Sequence, residues 1–520
     1  RCGKPSPPTE NSGAAVDCVP PVCIIPSTMS SPPTPDAPVS AAALAGMGRT
    51  PAPFSLALDG ESGTTATVHC AETVRALPGK RLVCRGSWRQ QPVYIKVYFA
   101  GDRHWQAERR GLQALHERKI PAATLLHAGT ADGGALHILI LAEIAPADTL
   151  AQVWQQADDE VTEQRLLQLA LLTLARHHRV GLEQRDIHLN NFLLASGQLV
   201  TLDGGGIHVS GKAELSEQAS RDNLARFFAQ LYPRHDALVE TVLPGYRTQR
   251  GWDETRLPVA GVLSRIRHFR RERQRRFLRK IFRDCSAFAC ERSWRSVRIC
   301  DRSLSTPALQ ALLADPDASL QLDSARYLKQ GNTSTLWSVM VDGRELVVKR
   351  YNIKGPGHGL NRALRRTRAA ISWENAHRLA FYGILGARPV ALREQRFGPL
   401  RGRAWLVMEY VGGEDITRLC ETADANDAAT GTAIQRMSTL LGQLAECRIT
   451  HGDMKGTNFI QTPKGIAVID LDAMCEHGSE KGFLAAQRRD LQRFMRNWQE
   501  CPAIDALFRA SLQAQQVVAP

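Results

Sequence analysis

One acid–amide–acid pattern occurs twice in the chain at identical spacing. The first copy is Asp186, Asn191 and Asp203, and the second is Asp453, Asn458 and Asp470. In both, the Asn follows the first Asp by five residues and the last Asp follows the Asn by twelve. This is the spacing of a phosphoryl-transfer loop, in which the first Asp orients an attacking hydroxyl and accepts its proton. Two occurrences in the same order make coincidence a poor explanation.

The other members of each pattern predict a magnesium and nucleotide site. Oxygen ligands suit Mg²⁺, so we assign that role to Asn191 and Asp203 in the first copy and to Asn458 and Asp470 in the second. An upstream Lys on a strand and a Glu on the following helix complete such sites, where the Lys contacts the α- and β-phosphates of ATP. The candidates are Lys96 with Glu108, and Lys349 with Glu374. Two further residues, His188 and Lys455, stand two positions after the catalytic Asp and are well placed to contact the transferred group.

The elements around each pattern predict the same order of strands and helices twice. A run of β-branched and aromatic residues carries each lysine, at 93–98 and at 346–351, and predicts a strand. A helical stretch precedes each loop, and a short apolar strand precedes each final Asp. The predicted fold class is α+β: two tandem protein-kinase-like, two-lobed domains behind a disordered N-terminal leader. We expect the leader at 1–75, the first domain at 76–300 and the second at 301–520.

Departures from the kinase pattern separate the two halves and limit the function. Neither half has a Gly-x-Gly-x-x-Gly loop, and the corresponding turns are expected at 85–87 and 330–334. The first copy has Gln184 where His is usual, and Gly204 follows its final Asp. No Ala-Pro-Glu segment follows either final Asp, which argues against a regulated protein kinase of the eukaryotic type.

Charge favours an anionic partner. Lys and Arg number 66 against 52 Asp and Glu, a net charge of +14. The segment from Arg265 to Arg298 holds 13 basic residues and 3 acidic ones, and apolar residues interleave at helical spacing. It is interpreted as a basic amphipathic helix that closes the first domain and either faces solvent or contacts an anionic membrane surface or a phosphorylated glycan. Nucleic acid is a less favoured partner because no reader motif accompanies the charge, and the oligomeric state is left open.

These residues resemble the lipopolysaccharide kinase family of Gram-negative bacteria, which includes InaA-type proteins and the core heptose and Kdo kinases. Three stretches carry the resemblance: 184–194, 373–379 with Gly383-Ile384, and 279–288. It covers about 77–510, with two family units in one chain. The resemblance implies ATP- and Mg²⁺-dependent phosphorylation of a heptose or Kdo of the inner core, with lipopolysaccharide core or a lipid A–core precursor as partner. It also implies a place at the cytosolic face of the inner membrane.

Two other functions stay open at this point. An atypical, short-loop protein serine/threonine kinase is slightly favoured by Lys455. A nucleotide-binding pseudokinase scaffold for core assembly is the other alternative, and Gln184 with Gly204 makes the first half the better candidate for a regulatory role.

Overall fold

The computed structural model describes residues 38–48, 51, 53–60, 66–99, 101–352, 363–422, 427–515 and 517. The chain divides into two compact units, residues 1–231 with 235–270, and 232–234 with 271–520. Each unit combines an antiparallel sheet with helices. No described helix is long and apolar enough to cross a membrane.

The first unit begins with a closed six-stranded barrel in the order β1-β2-β3-β4-β6-β5. Its strands are β1 Phe54–Leu58, β2 Ala66–Leu77, β3 Arg81–Trp88, β4 Gln91–Tyr98, β5 Leu125–Ala131 and β6 Leu136–Ala142. Short strands follow: β7 Asp148–Thr149, β8 Leu182–Gln184, β9 Phe192–Ala195, β10 Gln198–Thr201 and β11 Ile207–Val209. The helices are α1 Ala41–Gly46, α2 Arg103–Glu117, α3 Leu150–Gln156, α4 Glu160–Arg179, α5 Glu217–Phe228, α6 Leu238–Arg250 and α7 Val259–Lys280.

The second unit begins with a seven-stranded sheet in the order β12-β13-β17-β18-β16-β15-β14. These strands are β12 Phe288–Arg292, β13 Ser296–Asp301, β14 Arg326–Gln330, β15 Ser334–Val341, β16 Arg344–Tyr351, β17 Pro389–Phe397 and β18 Leu400–Glu409. The short strands are β19 Glu414–Asp415, β20 Ile449–Thr450, β21 Phe459–Thr462, β22 Gly465–Val468 and β23 Cys475–Glu476. The helices are α8 Pro307–Ala314, α9 Arg368–Tyr382, α10 Ile416–Thr422, α11 Ala428–Glu446, α12 Glu480–Met495 and α13 Pro502–Ala514.

The repeated order of elements places each lysine and each loop in the same way. Lys96 is the sixth residue of β4 and Lys349 the sixth of β16, and a helix follows each strand. A long helix, α4 or α11, precedes each loop, and a two-stranded ribbon, β9–β10 or β21–β22, separates the loop from the final Asp. Burial explains the regularity, since α4 packs Leu167, Leu171 and Leu174 into the core beside Phe192.

The expected domain limits are wrong in two places. Residues 1–37 of the expected leader lie outside the described residues, but β1 and most of β2 fall within 38–75 and pair in register from Phe54 with Cys70 to Leu58 with Ala66. The alternating pattern of β1 is short, and the Pro, Ser and Thr around it hid the strand. The second difference is the join, expected near 300. Strands β12 and β13 precede that point, yet β13 pairs with β17 in the sheet of the second unit.

The basic segment also differs from the expected single helix. α7 ends at Lys280, and the residues beyond it form β12 and β13. The division between the units falls within α7, after Arg270. Of the apolar residues at helical spacing, Phe269 and Ile281 are buried in the protein core. Phe269 within α7 and Ile281 directly after it are therefore covered by the protein itself.

Candidate active site

The first unit forms the predicted lysine–glutamate pair. Lys96 on β4 lies in direct contact with the carboxylate of Glu108 on α2, which is only 1 % exposed. The Lys96 ammonium is also 3.7 Å from Oδ1 of Asp203. A partly buried cation between two carboxylates is the arrangement expected for a group that receives phosphate oxygens.

Two glycines hold Glu108 against the segment that follows Asp203. Both carboxylate oxygens of Glu108 accept backbone N–H groups, from Gly204 at 3.1 Å and from Gly205 at 2.9 Å. The approach is so close that a Cβ on Gly111 would lie 1.8 Å from the carbonyl oxygen of Gly204. A Cβ on Gly204 would lie 2.4 Å from the carbonyl oxygen of Glu108. Only glycine at both positions allows α2 to lie directly on this segment.

The electrostatics of this cluster follow from its burial. Burial raises the pKa of Glu108 to about 7, while the Lys96 charge acts in the opposite direction. For Asp203 burial also favours the neutral acid, but a hydrogen bond with Glu108 and the Lys96 charge outweigh it, and the pKa lies below its ordinary value. Above neutral pH both Glu108 and Asp203 are therefore carboxylates.

The loop of the first unit is held through its Asn. Asn191 donates from Nδ2 to the carbonyl oxygen of Asp186 at 2.7 Å, and its own carbonyl accepts the N–H of Leu202 at 2.9 Å. These bonds bring the Asp186 loop and the residue before Asp203 together. The Asp186 carboxylate is 68 % exposed and lies 4.0 Å from Nε2 of His188.

Gln184 takes the buried place at the start of this loop. Its side chain is completely buried, and its backbone carbonyl oxygen accepts Nδ2 of Asn223 on α5 at 2.8 Å. Asn223 also lies 3.1 Å from Nε2 of His178. The uncharged side-chain amide of Asn223 therefore supports the loop in the first unit through the backbone of Gln184.

A buried carboxylate supports the corresponding loop in the second unit. Asp490 on α12 accepts the N–H of His451 at 2.7 Å and that of Gly452 at 3.1 Å. Nε2 of His451 lies 2.9 Å from the carbonyl oxygen of Ile469, the residue before Asp470. Charge-assisted bonds to backbone N–H groups are the stronger kind, and the corresponding support in the first unit is an uncharged amide.

The Asn of the second loop repeats the geometry of the first. Nδ2 of Asn458 donates to the carbonyl oxygen of Asp453 at 2.8 Å, and its carbonyl accepts the N–H of Ile469 at 3.0 Å. The carboxylate of Asp453 lies 3.3 Å from the Lys455 ammonium and also contacts the guanidinium of Arg493 on α12. Two cations thus lie at the candidate base.

Lys349 does not pair with Glu374 as predicted. It donates to Oδ1 of Asp470 at 2.5 Å. Burial disfavours its charge, but Tyr351 and Asp470 together raise the pKa of Lys349. Asp470 itself has a left-handed backbone, with φ of 59°.

Glu374 misses the lysine because of its place on α9. The preceding Trp373 occupies the inward face, is completely buried and donates Nε1 to the carbonyl oxygen of Ile281 at 3.2 Å. One residue further turns the side chain by about 100° around the helix. Glu374 consequently contacts Arg366 and Arg378, each at 2.7 Å.

The turns expected to cover phosphates are found in one unit only. Gly331 lies in the turn between β14 and β15, as expected. In the first unit 85–87 lies inside β3, where a Cβ on Gly86 would be 1.8 Å from the carbonyl oxygen of His69. The glycine there serves a close approach of two strands. The corresponding turn is Pro78-Gly79-Lys80, between β2 and β3.

The residues assigned to a metal fit Mg²⁺ in kind. Within the described ranges no group of three or more His, Cys, Asp or Glu side chains could hold a metal ion. Each candidate site instead offers one amide oxygen and one carboxylate, with the Asn amide oriented through its Nδ2. Mg²⁺ is typically held by one or two protein carboxylates and completes its shell with substrate phosphates and water.

Sequence reasoning missed three residues that shape these sites: Gly111, Asp490 and Arg493. A glycine inside α2 is a signal that could have been noticed, because glycine in a helix interior costs stability unless close packing requires it. Asp490 and Arg493 lie far from the loop in sequence, and nothing local marks them.

Comparison with known proteins adds a family. The model described as "Lipopolysaccharide kinase (Kdo/WaaP) family" matches residues 95–210 and 319–517, together more than half of the chain. No curated protein matches. Among solved structures, WaaP in complex with acyl carrier protein is 18% identical, covers 40% of this chain and 87% of its own, and has a TM-score of 0.29. A point mutant of the PknI kinase domain of Mycobacterium tuberculosis is 14% identical, with coverage of 41% and 99% and a TM-score of 0.27.

Proposed function

The chain belongs to the lipopolysaccharide kinase (Kdo/WaaP) family of phosphotransferases, and we propose that it transfers the γ-phosphoryl group of ATP to a heptose or Kdo of the lipopolysaccharide inner core. We further propose that each unit has a protein-kinase-like fold and binds ATP with Mg²⁺. In this proposal the second unit carries out the transfer.

One observation carries the assignment to the second unit: Asp490 anchors the loop that presents Asp453. A carboxylate buried beneath the loop fixes the backbone of His451 and Gly452 by charge-assisted bonds. Phosphoryl transfer depends mainly on positioning and on neutralising charge, so a rigid loop is what the reaction requires.

The residues of the second unit divide the reaction among them. Asp453 accepts the proton of the acceptor hydroxyl as its oxygen forms a bond to the γ-phosphorus and the bond to the β–γ bridging oxygen breaks, which releases ADP. Lys349 neutralises charge on the α- and β-phosphates, and Lys455 faces the transferred group. Asn458 and Asp470 supply oxygen ligands for Mg²⁺, whose chemistry is to neutralise charge on the phosphates.

The first unit is proposed to bind nucleotide through Lys96, Glu108, Asn191 and Asp203 and to act as a regulator. Beneath the Asp186 loop the uncharged amide of Asn223 bonds to the Gln184 backbone, whereas a carboxylate supports the loop of the second unit. His188, within 4.0 Å of Asp186, contacts the phosphates in this proposal.

The proposed setting is the cytosolic face of the inner membrane, where ATP and lipid A–core precursors meet. The net charge of +14 supports an anionic substrate and an anionic surface nearby. The part of the segment Arg265–Arg298 that precedes β12 is proposed to contribute through its charge, since Phe269 and Ile281 in that part are buried.

The test is phosphate transfer from ATP to purified core oligosaccharide that lacks phosphate, read by mass spectrometry. We expect wild type and Asp186→Asn to add one phosphate mass, and Asp453→Asn to lose at least about a hundredfold in rate. Asp186→Asn is the matched control, because it makes the same change in the other copy of the loop.

Two results would contradict the proposal. Loss in Asp186→Asn with Asp453→Asn unaffected would move the chemistry to the first unit. No transfer to the oligosaccharide by wild type, with ATP still bound, would exclude the sugar kinase and leave a protein kinase or a nucleotide-binding scaffold.

A further inference from the structure

Two large aromatic side chains are exposed together at one end of the sheet of the second unit. Trp294, in the turn between β12 and β13, is 65 % exposed, and Phe397, at the end of β17, is 69 % exposed. Their ring centroids are 6.0 Å apart in an edge-to-face arrangement. Adjacent exposed aromatic residues at the turns of two hairpins are uncommon on a surface that meets only water.

The pair is held in place by the backbone around it. The N–H of Gly398 donates to the carbonyl oxygen of Trp294 at 2.9 Å, and the N–H of Arg396 to that of Arg295 at 2.7 Å. Gly398 has φ of 59°, and a Cβ there would lie 2.7 Å from the indole ring. The missing side chain of Gly398 thus lets the indole lie directly against the backbone while most of the ring faces solvent.

A third exposed apolar side chain lies at the same end of the sheet. The N–H of Arg401 on β18 donates to the carbonyl oxygen of Ala363 at 2.9 Å, which places the following residue beside that strand. That residue is Leu364, 75 % exposed. We call Trp294, Phe397 and Leu364 the apolar tip.

Several exposed basic residues belong to the same segments as the apolar tip. Exposed arginines lie beside it in sequence or across the strands, namely Arg292, Arg295, Arg365 and Arg403. The nearest exposed acid in the β12–β13 hairpin, Glu291, is 2.8 Å from Arg298 and is neutralised by it. Arg292 donates to the carbonyl oxygen of Phe282 at 2.5 Å, just beyond the basic C-terminus of α7 at Arg279 and Lys280.

We propose that the apolar tip inserts into the interfacial region of an anionic phospholipid bilayer while the nearby arginines contact its headgroups. Aromatic rings prefer the boundary between headgroups and acyl chains, and each nearby Arg or Lys adds attraction to an anionic surface. A protein partner would need an apolar site for the aromatic pair and negative charges placed opposite the nearby arginines. An anionic bilayer provides an apolar interior and negative charges over its whole surface.

The test is co-sedimentation of the full chain with vesicles, without ATP or sugar acceptor, so that its outcome is separate from the kinase proposal. One set of vesicles contains phosphatidylethanolamine and phosphatidylglycerol, and the other contains phosphatidylcholine alone. We expect wild type to bind the anionic vesicles and Trp294→Ala with Phe397→Ala to bind at least about tenfold more weakly. Arg295→Gln should weaken binding about fivefold, and added salt should weaken it further.

The matched control is Tyr327→Ala on β14, at the opposite edge of the same sheet. Tyr327 is 52 % exposed, so its removal tests loss of an exposed aromatic residue as such. It should bind like wild type. The change in tryptophan emission on adding vesicles should also be smaller in Trp294→Phe than in wild type.

Three outcomes would overturn the proposal. They are equal binding of wild type to both sets of vesicles, unchanged binding in the double variant, and no binding by wild type. The last is also the result expected if the tip recognises another protein.

Discussion

Replacing Gly111 by Ala tests whether the contact between α2 and the Asp203 segment positions Glu108. An ordinary contact needs about 3.4 Å, so a Cβ placed 1.8 Å from the Gly204 carbonyl oxygen must push the two segments apart by about 1.6 Å. Both sides of the contact are backbone, and no side chain can rotate away. The bond from Gly205 to Glu108, now 2.9 Å, would then exceed hydrogen-bond range.

The expected effect is local and large. Overpacking costs about 1–3 kcal/mol, and each lost bond to a charged group costs about 1.5–3 kcal/mol. At about 1.4 kcal/mol per tenfold, even a loss of about 2 kcal/mol accelerates hydrogen exchange of the Gly204 and Gly205 amides about thirtyfold. The assay is hydrogen exchange with mass spectrometry on peptides that contain 103–117 and 203–209, combined with ATP titration.

Gly245→Ala is the matched control for this experiment. Gly245 also lies inside a helix of the first unit, α6, but a Cβ there meets nothing within 4 Å. Its replacement should stabilise the helix by up to about 1 kcal/mol and leave exchange at 203–209 unchanged. The reasoning is refuted if the Gly204 and Gly205 amides exchange at the same rate in Gly111→Ala and in Gly245→Ala.

Three further predictions concern the two units. Glu108→Gln should increase hydrogen exchange at 203–209 at pH 8 but change it little at pH 6, because below its pKa of about 7 the wild-type carboxyl is itself protonated. The control is Glu374→Gln, which should leave hydrogen exchange around Lys349 unchanged at both pH values because Glu374 contacts Arg366 and Arg378. Asp490→Asn should destabilise the second unit by about 2–3 kcal/mol in urea unfolding and slow phosphate transfer, and normal stability would contradict the role assigned to that carboxylate. Burial lowers the pKa of His377 to about 3. Between about pH 6.5 and pH 3 the unfolded chain therefore takes up this proton and the folded chain does not, so the free energy of unfolding falls by about 1.4 kcal/mol for each unit of decreasing pH. His377→Phe should reduce this pH dependence, measured by urea unfolding at pH 7 and pH 5.

Local patterns in the sequence predicted most of the strands and helices and one of the two Lys–Glu contacts. The strands around Lys96 and Lys349 and the helices α4 and α11 are confirmed, because their apolar spacing matches the burial that the sheets and cores require. The predicted contact between Lys349 and Glu374 was wrong, because Glu374 is one residue away from an inward-facing position. The large apolar side chain of Trp373 is buried at that position. Propensity alone does not resolve one helical step.

The predicted position of the boundary between the units was wrong for a different reason. A charge-rich segment was interpreted as one helix, although its later part pairs with β17, which follows almost a hundred residues further along the chain. Pairing at that separation leaves no periodic trace at the strand itself. Asp490 was missed in the same way, because its partners His451 and Gly452 lie about forty residues earlier.

The pairing of β13 with β17 determines where the chain can be cut. A fragment that starts at residue 301 would lack β12 and β13 and would leave β17 as a bare sheet edge, with Val390, Ala391 and Leu392 along it. Such an edge templates aggregation or strand exchange between copies. A soluble fragment of the second unit would have to retain β12 and the residues leading into it. If a fragment that starts at residue 301 is insoluble, the cause would be the loss of two strands from the sheet, and the result would carry no information about the activity of the unit.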